Sequence, residues 1–296
     1  MCGIIAVVRR PSARPVPTVD DVMASIDGIS SLLDGITADT AAGPLGEVAT
    51  RLEHANRLLG GTPGVRFLIS ERGASALVRD ALNDLGWRLD ALEVELDERA
   101  TVAAVELEAV NAALIRVRDA LWAIERDRLR AAEVVLDLGG HDVHGAAIDA
   151  VFSIHQALSA LDRMEVRGRD SAGLHLLVTN HGLDLDDPVV AAEIAARQPA
   201  NELFTNTAVR EVGGRLSFVY KVAAEIGELG DNTDALRSSI RTDALLHRAL
   251  DNPASEVVVL GHTRWASIGI ISEPNAHPIN SDQMRSPENA YCTAVL

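Results

Sequence analysis

Residues 3–8 read GIIAVV, an unbroken apolar run with β-branched members, and Pro11, Pro15 and Pro17 close it off. That pattern predicts a buried strand followed by a turn. From Thr18 the period changes. Residues 20–33 carry apolar positions at helical spacing, 46–59 do so again, and the GGTPG stretch at 60–64 reads as a breaker between elements. Between Gly86 and Gly139 stand fifty-two residues with neither Gly nor Pro. Within them Leu107, Val110, Leu114, Val117, Leu121 and Ile124 step by three and four among charged neighbours. The expectation is a long amphipathic helix, packed on its own chain or serving as half of a helical hairpin or short coiled coil.

The remainder alternates. Residues 148–164 predict a helix, 174–178 (LHLLV) a strand, and 184–206 an Ala-rich acidic stretch of helix plus loops. A strand is expected over 215–222, a helix over 234–250, a buried strand over 257–260 (VVVL), and a last strand over 291–296. Strand pieces this far apart imply one α+β domain whose connections have been expanded. The boundaries place a sheet-containing domain at 1–17 and 146–296, a helical insertion at 18–145, and a smaller elaboration near 182–250.

Composition narrows the classes. A chain of 296 residues with 47% hydrophobic and 24% charged residues can bury a large core, so wholesale disorder is excluded. A net charge of −16 argues against nucleic acid and anionic membranes as partners. No apolar run approaches the ~18 residues of a membrane-spanning helix. Two cysteines cannot build a disulfide framework, which suits a reducing, cytoplasmic setting. Lys221 is the single lysine, so lysine chemistry has one candidate.

Chemistry enters with Cys2. Removal of Met1, which a small second residue permits, would leave a thiol and a free α-amine on one residue. The amine (reference pKa ~7.7–8.0) can accept the proton of the thiol (~8.5) near neutrality, so nucleophile and base need no third group. His141 and His144 are a weaker constellation, since glycines around them favour a loop and no third metal ligand stands nearby. Cys292 reads as an inert buried thiol.

Four fragments stand in order: MCGI at 1–4, RGRDSAG at 167–173, GHTRWAS at 261–267 and NAHP at 275–278. Together they resemble the class II glutamine amidotransferases, and Trp265 with the NAHP fragment most resembles the glucosamine-6-phosphate synthase branch. The resemblance covers about a third of the chain, as islands, and does not extend to the helical insertion. It implies an N-terminal-nucleophile domain of four αββα layers, present in part, which releases ammonia from L-glutamine through a γ-glutamyl thioester on Cys2. By the same resemblance Arg167 positions the catalytic turn, and Arg264, Trp265, Ser267 and His277 are expected at the substrate, with Arg264 on its α-carboxylate. Asp170 and Ser171 are expected to hold the turn together. Thioester chemistry needs no cofactor and no metal. The implied partner is a sugar-isomerase-like acceptor domain or chain, with fructose 6-phosphate as the first acceptor.

Two departures from the family pattern bear on activity. Ile268 stands where the aminosugar branch usually has His. The family's Asn-Gly oxyanion pair and its Asp for the amino group of glutamine would fall beyond Leu296. Losing one oxyanion donor costs ~10²–10³ in turnover, so residues 1–296 alone are expected to be poorly active unless a second segment or chain completes the domain. The competing expectation is a non-catalytic scaffold or regulatory module, a homo-oligomer assembled through the helical insertion.

Overall fold

The computed structural model describes residues 2–36, 41–98, 104–140, 142–198, 205–223, 228–266, 270–280 and 294–295. The chain is of mixed α+β class and divides into two compact units, one formed by Met1–Pro11 with Val135–Leu296 and the other by Ser12–Val134. The opening segment of the first unit therefore ends only three residues beyond β1 (Gly3–Val8), earlier than the expected boundary at 17, and the unit resumes at 135 rather than 146.

The helical unit begins with α1 (Val19–Ile26), whose Thr18 and Asp21 form a reciprocal capping box. The single helix expected over 20–33 is two, because Gly28 adopts φ +78° and the chain restarts as α2 (Ile29–Asp34). Helix α3 (Ala42–Leu58) follows. The GGTPG cluster does not separate elements as expected: only Gly60 lies outside, and α4 (Gly61–Ser70) starts within it. Pro63 falls in the first helical turn, where backbone N–H groups have no intrahelical acceptor, so it costs no bond. Gly64 packs so tightly under Leu59 that a Cβ there would lie 1.9 Å from the Leu59 carbonyl oxygen.

The stretch expected as one long helix is divided. Helix α5 (Ala74–Glu98) runs straight through Gly86, α6 (Ala104–Trp122) follows, and a π-helical stretch (Ala123–Leu129) carries it into α7 (Arg130–Gly139). Val22, Ile29, Leu45, Leu52, Leu89 and Ile124 form the buried centre of this unit.

The sheet unit has α8 (Gly145–Glu165), β2 (Ser171–Thr179), α9 (Pro188–Ala196), β3 (Val209–Val212), β4 (Arg215–Val222), α10 (Asp231–Arg241), α11 (Ala244–Leu250) and β5 (Glu256–Arg264). The helix expected over 234–250 is broken at Asp243, whose carboxylate caps the N-terminus of α11 by accepting from the Leu246 N–H at 3.0 Å. Five strands form one antiparallel sheet in the order β1-β5-β2-β4-β3. A separate two-stranded ladder joins β6 (Ile279–Asn280) to β7 (Ala294–Val295). Of the last strand expected over 291–296, only 294–295 lie within the described residues. Helix α8 covers the sheet face that carries Gly3 and Gly261: a Cβ on Gly3 would meet Met164 at 2.6 Å, and one on Gly261 would meet Leu161 at 3.4 Å. No helix among the described residues is long and apolar enough to cross a membrane.

Candidate active site

Strand register decides which remote residues meet. Gly3 pairs with Thr263, and Arg264, the next residue of β5, pairs with Ser171 of β2. Three of the four sequence islands are thus the adjacent ends of β1, β5 and β2. Cys2 stands one residue beyond the Gly3–Thr263 pair, at the level of Arg264, and is a free, exposed thiol. Alternation along antiparallel strands puts Ile4, His262, Gly173 and Lys221 in one cross-strand row on one face, with Arg264 and Ser171 two residues further along the same face.

The fourth island lies over this face. A Cβ on Gly173 would come within 2.1 Å of the His277 carbonyl oxygen and 3.0 Å of Pro278 Cδ, so only glycine lets the 277–278 backbone approach. The His277 ring lies against that of His262, centroids 4.4 Å apart, and the His277–Pro278 peptide is cis. Arg264 Nη1 donates to the Asn275 carbonyl at 3.1 Å, tying β5 to the same segment.

Asp170 fastens the turn. Its N–H donates to the Arg264 carbonyl at 3.1 Å, and its Oδ2 accepts from the Ala266 N–H at 2.5 Å. The turn is gripped from the other side as well: Asn232 Nδ2 donates to the Arg169 carbonyl at 2.8 Å, and the buried Glu165 accepts from the Gly230 N–H at 2.5 Å. Burial raises the Glu165 carboxyl above its ordinary value, and nearby Asp162 adds to the shift.

The electrostatics of the face are cationic. Burial lowers the His262 pKa to about 4, helped by His277 and Arg264, so its ring is neutral at physiological pH. His277 is lowered by burial, by Arg264 and by Lys221. Three polar atoms on this face are buried without a hydrogen-bond partner among the described residues, Ser171 Oγ, His262 Nδ1 and His277 Nδ1, and Thr263 Oγ1 is another on the opposite face. A thiol, a guanidinium and a nearly buried ammonium on one sheet face suit a small substrate bearing a carboxylate.

Of the residues expected from sequence, Cys2, Arg264 and His277 converge on this end of the sheet. Trp265 follows β5 and is half exposed. Arg167 lies in the turn between α8 and β2, exposed, with its N–H donating to the Met164 carbonyl. Ser267, Ile268 and Cys292 lie outside the described residues, as does His141. His144 sits 3.6 Å from Asp251, and no group of three metal-ligating side chains occurs among the described residues. Sequence reasoning passed over Glu165, Asn232 and the placement of Lys221. Lys221 had one available signal, a lone lysine in an otherwise apolar strand pattern. Asn232 and Glu165 had none, since their partners are backbone groups remote in sequence.

No family model, curated protein or solved structure matches the chain at a significant level.

Proposed function

We propose that this chain carries the glutaminase chemistry of the class II amidotransferases on a partial N-terminal-nucleophile fold. The observation that supports the reading most is the register: motif islands some 160 and 90 residues apart in sequence meet at the ends of three adjacent strands, with Cys2 level with Arg264. Coincidental short matches have no reason to converge in space.

On this reading the Arg264 guanidinium receives the α-carboxylate of L-glutamine through its planar fork. The Cys2 amine takes the thiol proton, and the sulfur attacks the side-chain amide carbon. The amine returns the proton to the departing nitrogen, the C–N bond breaks, and ammonia leaves behind a γ-glutamyl thioester. Water attacks the thioester carbon, giving up a proton to the same amine. The C–S bond breaks, and glutamate and the free thiol are restored. Arg167 and Asp170 hold the strand-end turn, and Trp265, Ser267 and His277 border the substrate. The ammonia passes to an acceptor domain or chain, with a sugar phosphate such as fructose 6-phosphate as first candidate.

The test is intact-mass analysis after treatment with 6-diazo-5-oxo-L-norleucine, a glutamine analogue that alkylates such thiols. The expected result is loss of Met1 and a single adduct mapping to Cys2, absent from Cys2→Ser. A folded protein that retains Met1, or that takes no adduct, overturns the reading.

A further inference from the structure

One peptide group joins α10 to the end of β5. The carbonyl of Arg169 accepts from Asn232 Nδ2 at 2.8 Å, and the N–H of that same amide, carried by Asp170, donates to the Arg264 carbonyl at 3.1 Å. An amide is planar, so the bond at its oxygen fixes the direction of the bond at its nitrogen. Hydrogen bonds in line also polarise one another, and the Asn232 bond strengthens the one on Arg264. Asp170 Oδ2 adds a hold two residues further along, on the Ala266 N–H. The exit of β5 is thus tied to the turn, and the turn to Asn232.

Asn232 is itself held firmly. It lies in the first turn of α10 and is 2% exposed. Gly230, at φ +104°, bends the chain so that its N–H donates to Glu165 Oε2, at the end of α8, at 2.5 Å. Asp162, one turn earlier on α8, accepts from Thr233 Oγ1 and Arg237 Nη2. Residues 162 and 165 share a face of α8, and 233 and 237 a face of α10, so the first turn of α10 is pinned to the end of α8. Asn232 Oδ1 is nonetheless buried with no hydrogen-bond partner among the described residues. A buried oxygen in that state costs stability, and an apolar side chain of similar shape would avoid the cost. What the amide supplies is its bond to the Arg169 carbonyl.

We propose that Asn232 is a positioning residue for glutamine binding, setting the place of Arg264 through the peptide between Arg169 and Asp170. The inference rests on the glutaminase reading and extends it to α10, which none of the four motif fragments includes. Asn232 acts through the backbone rather than on the substrate. Without it the peptide can rotate, the Arg264 backbone loses a tie, and the guanidinium shifts away from the α-carboxylate. Affinity for an amino-acid ligand then falls while the Cys2 thiol stays as reactive as before. A role in stability alone would loosen thiol and pocket together.

The experiment compares alkylation of Cys2 by two reagents in the wild type and in Asn232→Ala, followed by intact mass and peptide mapping. The glutamine analogue 6-diazo-5-oxo-L-norleucine carries the α-carboxylate, and iodoacetamide has none. In the variant, the analogue concentration giving the half-maximal labelling rate is expected to rise about tenfold, with the maximal rate within about threefold of the wild type. The iodoacetamide rate should not change. Should Asn232→Ala fail to fold, Asn232→Leu, close in shape and free of the orphaned oxygen, takes its place with the same expected result. A wild type that takes no label from the analogue removes the glutaminase reading and this inference with it. A labelled wild type beside a folded variant whose half-maximal concentration is unmoved, or which loses reactivity toward both reagents alike, overturns the role of Asn232 alone.

Discussion

Burial lowers the pKa of two sheet imidazoles, His175 and His262, to about 4. Each ring is neutral in the folded chain, and the unfolded chain, with an ordinary pKa of ~6.5, binds the proton more readily. Stability linked to these groups is therefore complete above pH ~6.5 and declines as the pH falls toward 4. His175, whose Nε2 lies 2.7 Å from Ser217 Oγ, contributes at most ~3 kcal/mol on this count. Urea midpoints measured at pH 7 and pH 4.5 should differ in that direction, and His175→Gln should flatten the difference. Arg264 makes a separate prediction on the proposed chemistry. Arg264→Lys keeps the charge but loses the fork, so the KM for glutamine in an ammonia-release assay should rise roughly tenfold or more. An unchanged KM would remove Arg264 from the substrate.

Among the elements, α11 and β4 are joined by one carboxylate. Asp243 caps α11, receives both Arg197 Nη atoms at 2.8 and 2.6 Å, and accepts from the Tyr220 hydroxyl at 2.6 Å. Burial alone would raise its pKa, but the Arg197 fork and the Tyr220 hydroxyl hold it below the usual carboxylate range. Tyr220 is pushed well above its ordinary value by burial and by Asp243. Asp243→Ala removes the carboxylate partner of a half-buried guanidinium and of the buried Tyr220 hydroxyl together with a helix cap, so urea unfolding should show a loss of about 3 kcal/mol. Asp243 also shows where sequence reading stops. Strands β1, β2, β4 and β5 were legible because β-branched runs bounded by turn residues have few other outcomes. The division between α10 and α11 was not, because an Asp within an apolar period reads as a surface position unless its capping geometry is known. Gly86 and Pro63 misled in opposite ways: the glycine sits inside α5 at a tolerable entropic cost, and the proline opens α4.

For the molecule as a whole, the division at Pro11 and Val135 makes the helical unit a separable insertion in sequence. Replacing residues 12–134 by a flexible Gly/Ser linker should leave alkylation of Cys2 by 6-diazo-5-oxo-L-norleucine within about threefold, since every residue assigned to the site lies in the other unit. Mass spectrometry of the labelled protein checks this, and loss of labelling would assign the helical unit a part in the site. That the site draws on both ends of the chain could be read from the order of the motifs. Its depth could not. The row joining Ile4, His262, Gly173 and Lys221 exists only through strand register, which the hydrophobic pattern leaves open when both faces are partly apolar.

The pairing of Gly3 with Thr263 also has a history in time. A ribosome adding ~5–20 residues per second completes β1 and then works for on the order of ten seconds to a minute before its partner β5 emerges. Through that interval the first strand has no ladder to join, and its tip remains a loose tail within reach of the enzymes that trim nascent chains. Trimming must come first if Cys2 is to use its own amine, because a strand already zipped against Thr263 would hold the bond to be cut at the edge of a sheet. On the proposed chemistry the topology sets a sequence of events during synthesis: the terminus is processed while idle, and Cys2 takes its place only once β5 has been made.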